Sequence, residues 1–249
     1  MRPLKQHLSL LVAGHLLLLL VLGCLQPVNA QQRTTSVGIC YRPIFPLEFL
    51  GTGEEQQSVD NIDFTLGLQR GFSGGMVIRR GITELLSAEI GINYVKRNYD
   101  YSITDSSKFF TDGFTLVGYE VPISILAFIQ LGEAVFMNAS MGVGLDAFAS
   151  SVRTFNDNYE QFAIKKHSVE PSLNANIGWE YRTYRSGAIY LGATYHRPFS
   201  EVFTNSIIYR EGTVETGSFT QLSGSYLTAD LRYYFHAEKD PKKKKKSRD

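Results

Sequence analysis

Apolar and polar side chains alternate along most of this chain, from about residue 34 to residue 235. In 86–94, Leu86, Ala88, Ile90, Ile92 and Tyr94 share one face, and Ser87, Glu89, Gly91 and Asn93 share the other. In 135–147, Val135, Met137, Ala139, Met141, Val143, Leu145 and Ala147 oppose Phe136, Asn138, Ser140, Gly142, Gly144 and Asp146. Leu173, Ala175, Ile177, Trp179 and Tyr181 oppose Glu170, Ser172, Asn174, Asn176, Gly178 and Glu180. Leu227, Ala229, Leu231, Tyr233 and Phe235 oppose Tyr226, Thr228, Asp230, Arg232 and Tyr234. A period of two marks strands with unlike faces. Several of these runs exceed the five or six residues of an average globular strand.

The connections also fall into two kinds. Those near 83–85, 130–133 and 184–187 are short, whereas 43–58, 102–112, 152–166 and 203–217 are long and polar. Between them the pattern predicts eight strands, at roughly 34–42, 60–82, 86–101, 113–129, 134–151, 167–183, 188–202 and 218–235. An even number of strands with short turns at one end and long loops at the other describes an outer-membrane barrel. The predicted fold is therefore all-β: an eight-stranded antiparallel transmembrane β-barrel of the outer-membrane type, with short periplasmic turns and long extracellular loops. Gly71, Gly74 and Gly75 interrupt the second strand and predict a bulge or kink there.

Lysine usage decides which face meets solvent. Between residues 6 and 238 lysine occurs only at 96, 108, 165 and 166, at strand ends or in predicted loops. A soluble barrel would carry Lys and Glu over its outside. Here the polar face instead holds Gly, Ser and Asn with a few charges of both signs, which suits a narrow lumen and leaves the apolar face to lipid. Glu89, Glu120, Asp146, Glu170, Glu180, Arg182, Asp230 and Arg232 all fall on the polar face, and an interior acid–base network is expected because unpaired buried charge is costly. Aromatic girdles are expected from Tyr94, Tyr99 and Tyr101 toward one end, and from Trp179, Tyr181, Tyr184, Tyr233 and Phe235 toward the other. In YEVPISIL (119–126), Glu120 then faces the lumen as a partner for an arginine such as Arg182 or Arg232. Pro122 removes one ladder donor from a closed sheet and predicts a bulge or a water-filled gap.

The ends and the composition set the compartment. Arg2 and Lys5 precede the apolar run LSLLVAGHLLLLLVLG, and Val28-Asn29-Ala30 supplies a cleavage site. Residues 1–30 are thus predicted to be a cleaved secretory signal, with cleavage between Ala30 and Gln31. Cys24, after Val21-Leu22-Gly23, offers an alternative lipoprotein-type site. Cleavage after Ala30 leaves Cys40 as the single cysteine, so no internal disulfide is available. No later segment approaches eighteen unbroken apolar residues, the signature of a transmembrane helix. Residues 31–241 hold 17 basic and 23 acidic side chains, whereas the terminal KKKKKSRD is strongly basic. The barrel domain is placed at 31–236, and 237–249 is read as a disordered periplasmic tail. Lys242, Lys243, Lys244, Lys245 and Lys246 would offer contact with anionic lipid or a periplasmic partner. An exported, acidic body makes nucleic acid a poor partner.

GGMVIRRGITELLSAEIGINYVKRNY (74–99), YEVPISIL (119–126), NIGWEYR (176–182) and YLTADLRYYF (226–235) resemble the small outer-membrane β-barrel family of Bacteroidota-type bacteria, the group that includes PorT-like proteins. The resemblance spans most of 36–235. It implies residence in outer-membrane lipid after handling by the barrel-insertion machinery, and it allows an accessory role in protein secretion. The run after Phe235, HAEKDPKKKKKSRD, departs from barrels that end on an aromatic residue.

Candidate chemistry is sparse. The histidines after Ala30 are His167, His196 and His236. His196 falls on the predicted inner face beside Thr194, where a place in the lumen network is the plainer reading than a Ser–His–acid site. No nucleophile motif occurs, no two His or Cys have ligand spacing, and the loop acids Asp105, Asp112 and Asp157 are scattered. No enzyme activity, cofactor or metal is therefore expected. Three readings follow: a structural or interaction barrel with a side-chain-filled lumen, a PorT-like secretion accessory, and a lipid-modifying enzyme as the remotest.

Overall fold

The computed structural model describes residues 34–46, 53–106, 108–212 and 214–236. The predicted signal with Cys24, Ala30 and Gln31, and the lysine tail, lie outside the described residues. Among the described residues thirteen strands follow one another: β1 (Thr35–Phe45), β2 (Glu55–Val59), β3 (Ile62–Gly81), β4 (Leu86–Thr104), β5 (Phe109–Gln130), β6 (Val135–Phe148), β7 (Val152–Phe155), β8 (Tyr159–Lys165), β9 (Val169–Arg182), β10 (Ala188–Pro198), β11 (Phe203–Glu211), β12 (Val214–Leu222) and β13 (Tyr226–Tyr234).

Eight of them form a ring. The antiparallel order β1-β13-β10-β9-β6-β5-β4-β3 returns to its start because β1 pairs with β3 as well as with β13. Ile39 faces Tyr233 on one side and Met76 on the other, so no edge is left in this wall. Turn chemistry explains the short connections. At 82–85 the Thr83 hydroxyl accepts from the amides of Leu85 and Leu86, closing the β3–β4 hairpin. At the opposite end, Asp60 and Asn61 both have positive φ between β2 and β3, the conformation a two-residue hairpin demands and these residue types tolerate.

The outer wall of the ring is apolar over about nine residues per strand, from Leu86 to Tyr94 in β4. That is the length a tilted strand needs to cross a bilayer. Ile78, Ile90, Ile123, Val143, Ile177 and Leu191 all point outward and exposed. Trp179, Tyr181, Tyr184 and Phe235 border this wall at the short-turn end, also exposed. At the other end the aromatic border differs from the expectation. Tyr94 belongs to it, together with Tyr41, Phe72 and Tyr119. Tyr99 and Tyr101 do not, because both are buried.

They are buried because the strands continue past the membrane-crossing length and invert. In β4 the inward residues change from Ser87, Glu89 and Asn93 to Tyr99, Tyr101 and Ile103, while the outward ones become Asn98, Asp100 and Ser102. β3 achieves the same change with a register shift between Gln69 and Phe72: Phe64, Leu66 and Leu68 point inward before it, Ser73, Val77 and Arg79 after it. At this shift a Cβ on Gly71 would run into the Lys96 carbonyl, so the backbones approach too closely for a side chain.

The described residues of the regions predicted as long loops are therefore largely strand. Residues 102–112 extend the β4–β5 hairpin, and 43–58 include the end of β1 and most of β2. The stretches 152–166 and 203–217 supply β7, β8, β11 and the start of β12. The predicted last strand, 218–235, is two: β12 ends at Leu222, and β13 begins at Tyr226. The order β12-β11-β8-β7 makes a second sheet. This sheet joins β2 through Gln57, whose amide donates to the Phe219 carbonyl and accepts from the Ser218 hydroxyl. With the upper parts of β3, β4 and β5 it forms a dome whose core includes Ile62, Phe64, Tyr101, Ile103, Phe203, Ile207 and Tyr209. The dome is apolar inside, and its outside mixes polar side chains such as Asn98, Asp100 and Ser102 with exposed Phe109, Phe155, Ile164 and Phe219.

Pro122 sits in a strand without a bulge. β4 pairs with β5 at Ile90↔Ile123 and again at Asn93↔Glu120, in one unbroken register, and only the two intervening pairs are missing. Pro122 stays paired with Gly144 on the other side. The proline thus interrupts one ladder locally, and the gap borders a lumen cavity of about 20 Å³. That is enough for one water among polar walls.

Candidate functional site: the lumen network

Inside the ring, strand period places a charged side chain on nearly every wall. Near the short-turn end Arg182 Nε lies 2.6 Å from Glu180 Oε1, and Arg79 Nη1 lies 2.5 Å from Glu180 Oε2. Arg79 Nε continues to Glu89 Oε2 at 3.2 Å, and Arg232 Nη1 donates to Glu89 Oε1 at 2.8 Å. Arg232 Nη2 reaches Asp230 Oδ2 at 2.5 Å, with Arg42 Nε at 3.4 Å from the same oxygen. Four arginines and three carboxylates thus form one chain of ion pairs up the lumen. Neutral donors complete it: Tyr234 to Glu89, and Thr194, Thr228 and Asn176 to Asp230. Arg79 also stacks over Tyr234 at 3.7 Å, and Arg182 over Phe136 at 3.8 Å. Desolvation of so many charges is tolerable only because each carboxylate has several partners.

A second cluster sits above, under the dome. Glu120 accepts from Arg97 Nη2 at 3.0 Å and from the Tyr226 hydroxyl at 2.5 Å. Its arginine is thus Arg97, not Arg182 or Arg232, which are engaged in the lower chain. Asp146 accepts from Ser172 at 2.9 Å and lies 2.8 Å from His196 Nε2. His196 Nδ1 is 2.8 Å from Asn174 Oδ1, and its ring stacks on Tyr226 with centroids 4.6 Å apart. Glu170 stands apart at the rim, where its Oε1 accepts from the amide and hydroxyl of Ser200 and ties the end of β10 to β9. The cavity beside Pro122 lies between the two clusters, touching Arg42, Glu89, Glu120 and Arg232.

The upper cluster holds the residue types of two reactive sites without the arrangement of either. Ser172, Asp146 and His196 are connected in the order Ser–Asp–His, so the imidazole does not touch the serine oxygen it would have to deprotonate. Donor atoms of Glu120, Asp146 and His196 lie within 4.8 Å of one another, as a metal site requires. Yet Arg97 and Tyr226 already occupy Glu120, and Ser172 occupies Asp146. A dication there would sit beside a guanidinium, so the donor set fits a charge-paired cluster.

All eight residues expected in the lumen lie there or at its rim. Further members, among them Arg42, Arg79, Arg97, Tyr226 and Tyr234, were absent from that expectation. Arg97 follows Glu89 and Asn93 in strict alternation, so its face was readable. Arg79 lies on β3 next to Arg80, after a stretch whose glycines at 71, 74 and 75 blur the period.

No protein-family model matches the chain, and no curated protein matches it in sequence. Among solved structures, the outer membrane protein OprG from Pseudomonas aeruginosa matches with a TM-score of 0.53 over 85% of this chain and 100% of its own, at 9% identity. The fold is that of an outer-membrane β-barrel. The N-terminal β-barrel domain of OprF from the same organism aligns over 82% of this chain and 100% of its own, at 9% identity and a TM-score of 0.37. At such identities the likeness concerns architecture alone.

Proposed function

We propose that this chain is an integral protein of the bacterial outer membrane, exported by a cleaved signal. Its role is structural or interactive, and its lumen is filled by side chains rather than open as a general pore. One observation carries this reading: the ion-pair chain, the Glu120–His196 cluster and the apolar dome core are stacked along a single axis. An eight-stranded ring is only wide enough for its own side chains. What the protein then offers its surroundings is the dome.

Purified protein in planar bilayers should give no large, steady conductance, and such a conductance would overturn the reading. Heat-modifiable migration on gels should accompany it, as for a folded barrel. The resemblance to PorT-like proteins supports a narrower version, an accessory factor for protein secretion across the outer membrane. Unchanged secretion in a strain lacking the gene would dispose of that version.

A further inference from the structure

One side of the outer wall carries a row of aromatic rings. Tyr41, Phe72, Tyr94 and Tyr119, on the adjacent strands β1, β3, β4 and β5, form a continuous outward row, with successive ring centroids 6.1, 5.9 and 5.9 Å apart. Tyr41 and Tyr119 are about half exposed, at 53% and 49%. Toward the dome, Arg70 stands two residues beyond Phe72, and Lys96 stands two residues beyond Tyr94, directly opposite Phe72. The same order recurs on β10, where Arg197 follows Tyr195.

These cations differ from the others on the dome. Lys108, Arg153, Lys166 and Arg210 each pair with a carboxylate, and Lys165 donates to the Ala149 carbonyl. Among the described residues, the side chains of Arg70, Lys96 and Arg197 have no hydrogen bond or ion pair. A cation left without an acid on an otherwise acid-rich exterior has room for an anion from outside the chain. The height of the row defines what that anion is attached to. Rings at the border of an apolar wall lie where acyl chains give way to headgroups. Charges one step further out lie at the level of headgroup phosphates.

Resting on the outer-membrane reading above, we infer that Arg70 and Lys96, with the Tyr41–Phe72–Tyr94–Tyr119 row, form a binding site for a phosphorylated glycolipid of the outer leaflet. The rings would lie against the sugar and the first methylenes, and the two cations against the phosphate. The register shift at Gln69–Phe72 has a part in this, since it sets the exposed Arg70 beside the β4 strand that carries Lys96.

The test uses the full chain in phosphatidylcholine vesicles titrated with diphosphorylated lipid A, read by native mass spectrometry of retained lipid. Wild type should retain lipid A, and an Arg70→Gln, Lys96→Gln double variant should bind it roughly 25-fold more weakly, about fivefold for each cation. Arg80→Gln, which removes an exposed cation at the short-turn end, should leave binding unchanged. Equal retention of dephosphorylated lipid A, or a double variant as good as wild type, overturns the inference. Heat-modifiable migration is recorded for every sample. A wild type without a folded band in vesicles overturns the membrane reading itself, and the site with it. A folded band without phosphate-dependent retention overturns only the site.

Discussion

The ring and the dome are built partly from the same strands, yet their faces are opposite. In β4, Glu89 and Asn93 point into the lumen while Ile90 and Ile92 point out; farther along, Tyr99 and Tyr101 point in while Asn98 and Asp100 point out. β4 keeps one register with β5 throughout, so no slip on that side turns its side chains over. What changes is the solvent outside. Where lipid surrounds the wall, apolar side chains belong outside and charge must be paired within. Where water surrounds it, the hydrophobic effect drives the apolar side chains inward. The level at which the pattern inverts therefore marks the membrane boundary, and the row from Tyr41 to Tyr119 lies at that level.

The two interiors should fail differently. Glu89 neutralises Arg79 and Arg232 and accepts from Tyr234. Glu89→Leu leaves two buried guanidinium groups short of a partner, and a loss of about 3–5 kcal/mol is expected. Urea titration of the folded gel band would measure it, and an unchanged midpoint would refute the claim that the ion-pair chain acts as a unit. Phe203 is fully buried in the dome against Phe148. Phe203→Ala should cost a similar amount, about 3–5 kcal/mol, through lost burial and a cavity. Its loss should appear as protease sensitivity of the dome while the heat-modifiable barrel persists. Simultaneous loss of both would mean that the two tiers are one cooperative unit.

The outer faces offer a sharper contrast because a single substitution can be placed on either side of the boundary. Ile90 lies midway along the apolar wall, and Ile90→Arg should cost about 2–4 kcal/mol in lipid. Ser102, on the same face of the same strand but beyond the aromatic row, should accept arginine within about 0.5 kcal/mol. Equal penalties at both positions would remove the membrane boundary from the place assigned to it.

This inversion also explains what was and was not legible in the sequence. The ring strands stood out because Leu86–Tyr94, Val135–Ala147 and Leu227–Phe235 alternate with the apolar stripe uninterrupted. A reading that follows that stripe stops at Tyr94, where the stripe changes faces, and so Tyr99 and Tyr101 passed for girdle residues. The dome strands alternate too, but with a mixed outer stripe: Tyr159, Gln161 and Ala163 point inward, against Glu160, Phe162 and Ile164 on the outer face. In short segments rich in Asn, Glu, Thr and Ser, such a stripe looks like loop. Period alone could not separate Leu222 from Tyr226 either, because the Ser223-Gly224-Ser225 break is small. Within the lumen the acids were readable by parity, and so was Arg97. The partner of each acid was not, since pairing depends on shear around the ring.

The smallest effect at neutral pH separates the dome from the ring by chemistry rather than by stability. Tyr159 donates to Asp112 Oδ2 at 3.0 Å, and Tyr101 approaches the same oxygen at 3.5 Å. Burial and the Asp112 carboxylate push both phenols above their ordinary value near 10. A raised phenol keeps its proton in the folded dome after the unfolded chain has released it. The folded state then binds more protons, so stability is full below pH of about 10 and falls as pH rises above it. Ultraviolet titration of tyrosinate should show these two groups ionising late, at the point where the dome opens. A Tyr101→Phe, Tyr159→Phe double variant should lose that late phase and keep its dome folded to higher pH. If its alkaline transition coincides with that of wild type, the Asp112 cluster does not govern opening, and the lumen tyrosines of the ring do.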